Sequence, residues 1–183
     1  MTFRGYLASL ACCGEAVEAT PSSVQEALDS IVAWVRTVRE RGRVVHLLGN
    51  GGSAAVVSHA QNDLVKGCRV RALVHQDIPT LTAYTNDHGY ASSLQGPLGV
   101  WVQPEDVVIA VSSAGMSPNI VQAATAAQAA GARVITLSGF QPTNALRPLG
   151  AVNFFVPSTD YGSVELTHAA LLHYLTDRLA HAG

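Results

Sequence analysis

The sequence predicts an α/β fold: a three-layer, doubly wound sandwich with a central, mainly parallel sheet of about five strands and N-terminal helices leading into it. Three observations predict it. Short β-branched, apolar runs alternate with stretches of helical periodicity. Two of those runs end in small-residue, hydroxyl-rich loops that open helices, as happens where parallel strands meet ligands. No solenoid-type repeat, low-complexity tract or long linker divides the 183 residues, a length suited to one well-cored domain. The expectation is a single domain over residues 1–183, with leading helices in 1–42 and the α/β core in 43–183.

Each element has its own signal. Thr2 to about Cys13 is weakly helical, and Thr20-Pro21-Ser22-Ser23 interrupts it. Ser22 or Ser23 caps a second helix, on which Val24, Leu28, Ile31, Val35 and Val38 fall at helical spacing. Arg41-Gly42 supplies its basic last turn and its stop. Arg43 to Leu48 reads as a buried parallel strand that empties into Gly49-Asn50-Gly51-Gly52-Ser53 and a helix from Ala54 to Lys66. Val70 to Val74 is a second strand, and Asp77-Ile78-Pro79 leads a helical stretch from Thr80 to Tyr84. Val107 to Val111 runs into Ser112-Ser113-Ala114-Gly115-Met116-Ser117-Pro118 and an Ala-rich helix, Asn119 to Ala130, closed by Gly131. Strands at Arg133 to Leu137 and Val152 to Val156 precede a last helix, from about Ser163 to Leu179.

Composition narrows the function classes. Charged residues are 13% of the chain, against about 25% in ordinary soluble domains, while hydrophobic residues are 48%. The net charge of −2 gives no basic surface for nucleic acid or an anionic membrane. So apolar a composition excludes disorder and points to burial between subunits. Three cysteines, Cys12, Cys13 and Cys68, form no CxxC pair. With no signal-peptide pattern and no apolar run near the roughly 18 residues of a spanning helix, a cytoplasmic protein is expected.

The two loops carry the chemistry. The glycines of residues 49–52 admit a ligand close to the backbone, and Ser53 sits near a helix N-terminus, where free amides favour an anion. The same loop fits a degenerate G-x-G-x-x-A turn from Gly49 to Ala54, with Asp77 as a ribose acceptor; that alternative is a nucleotide-dependent oxidoreductase. A Walker loop is excluded because no Gly-Lys-Ser/Thr occurs, and Ser53 lacks a G-x-S-x-G surround. Ser112, Ser113 and Ser117 form a second, cation-free nest suited to a phosphate monoester. Two such loops suit a small phosphorylated molecule. On the helices, His59 and Asp63 are i,i+4, and Glu165 and His173 are eight apart. Together they make an N/O set of the kind zinc takes, or packed helix-face residues.

Gly49-Asn50-Gly51-Gly52-Ser53-Ala54 with His59, Asn86-Asp87-His88-Gly89-Tyr90, and Ser112-Ser113-Ala114-Gly115-Met116-Ser117-Pro118-Asn119 together resemble the sugar isomerase (SIS) domain. Within it the chain resembles the phosphoheptose isomerases, which convert sedoheptulose 7-phosphate to a glycero-manno-heptose 7-phosphate. The resemblance covers nearly the whole chain, including Val156-Pro157-Ser158. It implies an aldose–ketose isomerisation through an enediol, with zinc held by His59, Asp63, Glu165 and His173. Asp63 stands where the common pattern has Glu, and Glu165 where it has Gln. Asp63 or Glu165 is the implied base and His173 the acid/base partner, with His168 as core. Asn50, Gly51, Gly52, Ser53, Asn86, Asp87, Ser112, Ser113, Ala114 and Ser117 are the implied substrate contacts. Ala114 replaces a serine and Met116 an asparagine of that pattern, and Asn86-Asp87 also has the chemistry of a plain turn. The resemblance further implies a homotetramer, its N-terminal helices a central bundle with Leu28, Ile31, Val35 and the Ala-rich helix at the interface. The rival is a non-catalytic SIS module that binds a sugar phosphate or a protein partner.

Overall fold

The computed structural model describes residues 2–181. In chain order the elements are α1 (Phe3–Glu15), β1 (Glu18–Thr20), α2 (Val24–Glu40), β2 (Val45–Leu48), α3 (Gly51–Lys66), β3 (Ala72–Val74) and α4 (Ile78–His88). They continue with α5 (Gln95–Trp101), β4 (Val107–Ser112), α6 (Pro118–Ala129), β5 (Arg133–Gly139), β6 (Val152–Val156) and α7 (Tyr161–Ala180). The sheet order is β1-β6-β5-β4-β2-β3. Every pairing is parallel except β1 with β6.

The expected strands are present, and a sixth joins them. β1 is three residues, Glu-Ala-Thr, paired antiparallel with Glu18 opposite Phe155 and Thr20 opposite Asn153. So short a run carries no period of its own; the edge of β6 supplies its partner. The strand expected from Val70 is confined to Ala72–Val74, α4 continues past Tyr84 to His88, and α5 is an added helix.

Alternation along the strands divides the core into two. Val107, Ile109 and Val111 of β4 face α2, α3 and α7, whereas Val108 and Ala110 face α5 and α6. A capping box starts α2: the Glu26 amide donates to Ser23 Oγ at 3.4 Å, and the Ser23 amide to Glu26 Oε2 at 3.0 Å. Its Leu28, Ile31 and Val35 are 4%, 1% and 0% exposed within the single subunit. These three, and Ala123, Ala124 and Ala127 of α6, are therefore core, which corrects their expected place at an interface. Burying side chains of their size removes about 1.5–3 kcal/mol each of unfavourable hydration for Val, Leu and Ile. By contrast α1 buries no residue, and Phe3 and Leu7 stand exposed on it.

Among the parallel strands the order reverses between β2 and β4. Ligands bind doubly wound sheets outside the carboxyl ends of the strands at such a reversal. The glycine loop leaves β2 there, and the serine loop leaves β4.

Candidate active site

The two loops face each other across a cavity of about 240 Å³. Asn50, Gly51, Gly52 and Ser53 line one wall and Ser112, Ser113, Ala114 and Ser117 the other, with Tyr161 and Glu165 of α7 closing it. Eight of the ten substrate contacts expected from sequence thus meet in one place. Tyr161, stacked edge-on against Phe140 at 4.8 Å between ring centres, was missed. It is the first residue of α7, four positions before Glu165.

The Glu165 carboxylate packs against Gly52: a Cβ there would lie 2.2 Å from Oε2 and would push the carboxylate aside. The carboxylate therefore rests against the first turn of α3, where the helix dipole favours negative charge. Ser112 Oγ donates to Ser117 Oγ at 3.3 Å. Ser113 Oγ is buried without a partner among the described residues, in a cavity with no lysine or arginine in its lining. A lining of hydroxyls and helix-opening amides without a cation suits an anion that brings its own oxygens. Asn50 and Asn119 join the walls through a reciprocal amide pair: Asn50 Nδ2 donates to Asn119 Oδ1 at 2.9 Å, and Asn119 Nδ2 to Asn50 Oδ1 at 3.0 Å. Asn119, fully buried, lies within the serine-loop motif, but nothing in the sequence pairs it with a residue 69 positions away.

A second cavity of about 240 Å³ lies further along the groove between α3 and α7, bordered by His59, Asp63 and His173. Asp63 Oδ2 is 3.6 Å from His59 Nε2 and 3.4 Å from His173 Nδ1, and one ligand atom from each residue lies within 4.8 Å of the others. Zinc bonds of 2.0–2.1 Å arranged tetrahedrally put ligand atoms about 3.3 Å apart. The two carboxylate–imidazole separations are near that value, so the three residues can hold a metal ion and would leave a coordination position open. Glu165 is outside this group: eight residues separate it from His173, about 12 Å along the helix axis at 1.5 Å per residue.

Other sequence candidates fall elsewhere. Asn86 and Asp87 sit in the exposed last turn of α4, bonded to each other at 2.8 Å, and line neither cavity. Asp77 caps α4, accepting from Thr80 Oγ1 at 2.7 Å and from the Thr80 amide at 3.0 Å. Those bonds, the hydroxyl's foremost, hold its carboxyl below the usual range, and both fall on Oδ2, which gives Asp77 a helix-capping role. His168 is core, as expected: Nε2 lies 3.3 Å from the Ser138 carbonyl, and burial pushes its pKa down to about 4.

Comparison with known proteins identifies the family and the fold. A family model described as SIS domain matches residues 6–139. The phosphoheptose isomerase of Helicobacter pylori (strain P12) is 30% identical over 171 residues, covering 89% of this chain and 88% of that protein. A solved phosphoheptose isomerase from Francisella tularensis superposes with a TM-score of 0.87 at 22% identity, over 99% of this chain and 100% of that one. The one from Neisseria gonorrhoeae gives 0.85 at 22%, over 97% and 96%.

Proposed function

The chain belongs to the SIS domain family, and on that premise we propose that it is an aldose–ketose isomerase converting sedoheptulose 7-phosphate to a glycero-manno-heptose 7-phosphate. The observation that carries the reading is that α3 and α7 border both cavities, the cation-free oxyanion nest at their first turns and the Asp63–His173 pair further along. Ser53 and His59 are six residues apart on α3, about 9 Å of helix rise. A seven-carbon ester has its phosphate and its carbonyl at opposite ends, as this separation requires.

The phosphate sits among Ser53, Ser112, Ser113 and Ser117 and the amides opening α3. That anchoring makes the proton transfers effectively intramolecular. Asp63 takes the proton from C1, the electron pair forms the C1–C2 double bond, and the carbonyl oxygen gains a proton from His173. Return of a proton to C2, with loss of the one on O1, completes the aldose. Of the two carboxylates, Asp63 is assigned as base because it lies against His173, while its Oδ1 accepts only from the exposed Asn62 amide. Glu165 contacts the substrate from the nest. His59, Asp63 and His173 would hold zinc, which when bound polarises the sugar's carbonyl and hydroxyl oxygens. Asn86 and Asp87 are proposed contacts supplied from outside the single-subunit cavities. The exposed apolar side of α1 suits the central bundle of a homotetramer, and three unpaired cysteines suit a reducing cytoplasm. No helix among the described residues is long and apolar enough to cross a membrane.

Kinetics of two variants test the assignment. Asp63→Asn is expected to lower kcat by about 10²-fold or more. Glu165→Gln is expected to keep kcat and to bind phosphate more tightly, since a like charge leaves the nest. If Glu165→Gln loses turnover while Asp63→Asn keeps it, the roles are reversed. Binding of sedoheptulose 7-phosphate with no turnover by the unmodified protein supports the non-catalytic module.

A further inference from the structure

We infer that Asn119 is a positioning residue: by holding the side chain of Asn50, it keeps that residue from capping its own helix and so reserves the first amides of α3 for the ligand. The inference rests on the nest reading above, and the pattern of caps carries it. Four helices in the chain are closed by their own N-cap side chains: Thr2 on α1, Ser23 on α2, Asp77 on α4 and Asp160 on α7. The two helices opened by the glycine and serine loops, α3 and α6, are not; α5 begins at Leu94, which has no capping group, and α7, whose Tyr161 also borders the cavity, is the capped one there. Asn50 and Ser117 are both of the residue types that cap best, yet neither side chain bonds its own helix.

Both are held elsewhere. Ser117 Oγ is taken by Ser112 Oγ, and the Asn50 carboxamide is taken at both ends by Asn119. Asn50 has the extended backbone of an N-cap, with φ −117° and ψ 151°. A side-chain oxygen in that setting ordinarily accepts from the second or third amide of the helix, here Gly52 or Ser53, both of which line the cavity. Asn119 stands on α6, across the reversal of strand order. Its pairing with Asn50 therefore fixes the spacing of the two loops and leaves α3 uncapped from within. Without Asn119, the Asn50 oxygen turns back onto its helix and competes with the phosphate for the same N–H groups.

Asn119→Ala removes the partner, and Asn119→Leu removes it while keeping the volume of this fully buried site. The probe is inorganic phosphate, followed by calorimetric titration, together with amide hydrogen exchange at Gly52 and Ser53 in phosphate-free protein. Self-capping gives about tenfold weaker phosphate binding and slower exchange at those two amides. A merely structural brace gives faster exchange there, because the loop loosens; that result, or phosphate binding equal to the unmodified protein's, overturns the inference. Failure of the unmodified protein to bind phosphate overturns the nest reading, while the exchange measurement still decides whether Asn50 turns back.

Discussion

Gly115 shows how one residue sets the serine loop. Its φ of +65° is open to glycine and strained for other residues, and a Cβ there would lie 2.0 Å from Asn144 Oδ1. Asn144 cannot give way. It is buried, donates to the Gln141 carbonyl at 2.8 Å, and accepts from the Arg147 amide at 3.0 Å. Gly115→Ala is expected to cost about 1–3 kcal/mol and to weaken phosphate binding, since Ser112 and Ser117 flank the displaced turn. Calorimetric melting with and without phosphate checks both effects. At this scale most of the nest was legible, because glycine and serine at strand ends have few other uses. The placement of Glu165 was legible only in part: its eight-residue spacing from His173 already sets about 12 Å between them along α7, whereas its contact with Gly52 depends on how α3 packs on α7.

At the scale of elements, β2, β3 and β4 are tied by a buried chain outside the site. His46 Nε2 lies 3.3 Å from Asp106 Oδ2, and His46 Nδ1 lies 3.0 Å from His75 Nε2. Asp106 also accepts from the amides of Val44 and Gln103. With the ionised carboxylate accepting from His46 Nε2–H, His46 Nδ1 accepts from His75. Protonating that nitrogen sets two donors against each other. Burial first, and the neighbouring His46 second, push the His75 pKa down to about 4, and burial lowers that of His46. A lowered histidine stays neutral when folded and takes up a proton on unfolding near pH 6.5. Its contribution is complete above that pH and is lost as pH falls from about 6.5 toward 4. The urea midpoint should therefore drop between pH 7 and pH 5. His75→Leu should reduce that drop without abolishing it, because His168 acts with the same sign. An unchanged pH dependence in His75→Leu would refute the account of the chain. Neither this network nor β1 was readable beforehand, since each depends on partners supplied by distant strands.

Over the whole molecule, the fold was the most legible level. Short continuous apolar runs alternating with stretches of 3.6-residue periodicity, with caps and glycine stops between them, determine the layers. The apolar composition first pointed to an interface through α2, and the structure places that apolar surface in the core instead. Exposed apolar side chains remain on α1, at Ile78, Val100 and Trp101 around α4 and α5, and at Val65, Met116 and Leu166 on other elements and loops. The groove is where fold and chemistry meet: strand order places two loops at one reversal, and parallel packing of α3 on α7 carries the triad along from them.

The central claim is that this groove isomerises a long sugar phosphate through an enediol. It is tested most directly by NMR of sedoheptulose 7-phosphate incubated with the protein and zinc in D2O. Appearance of an aldose 7-phosphate bearing solvent deuterium at C2 is the expected result. Ketose that binds yet remains unconverted and unexchanged would contradict it.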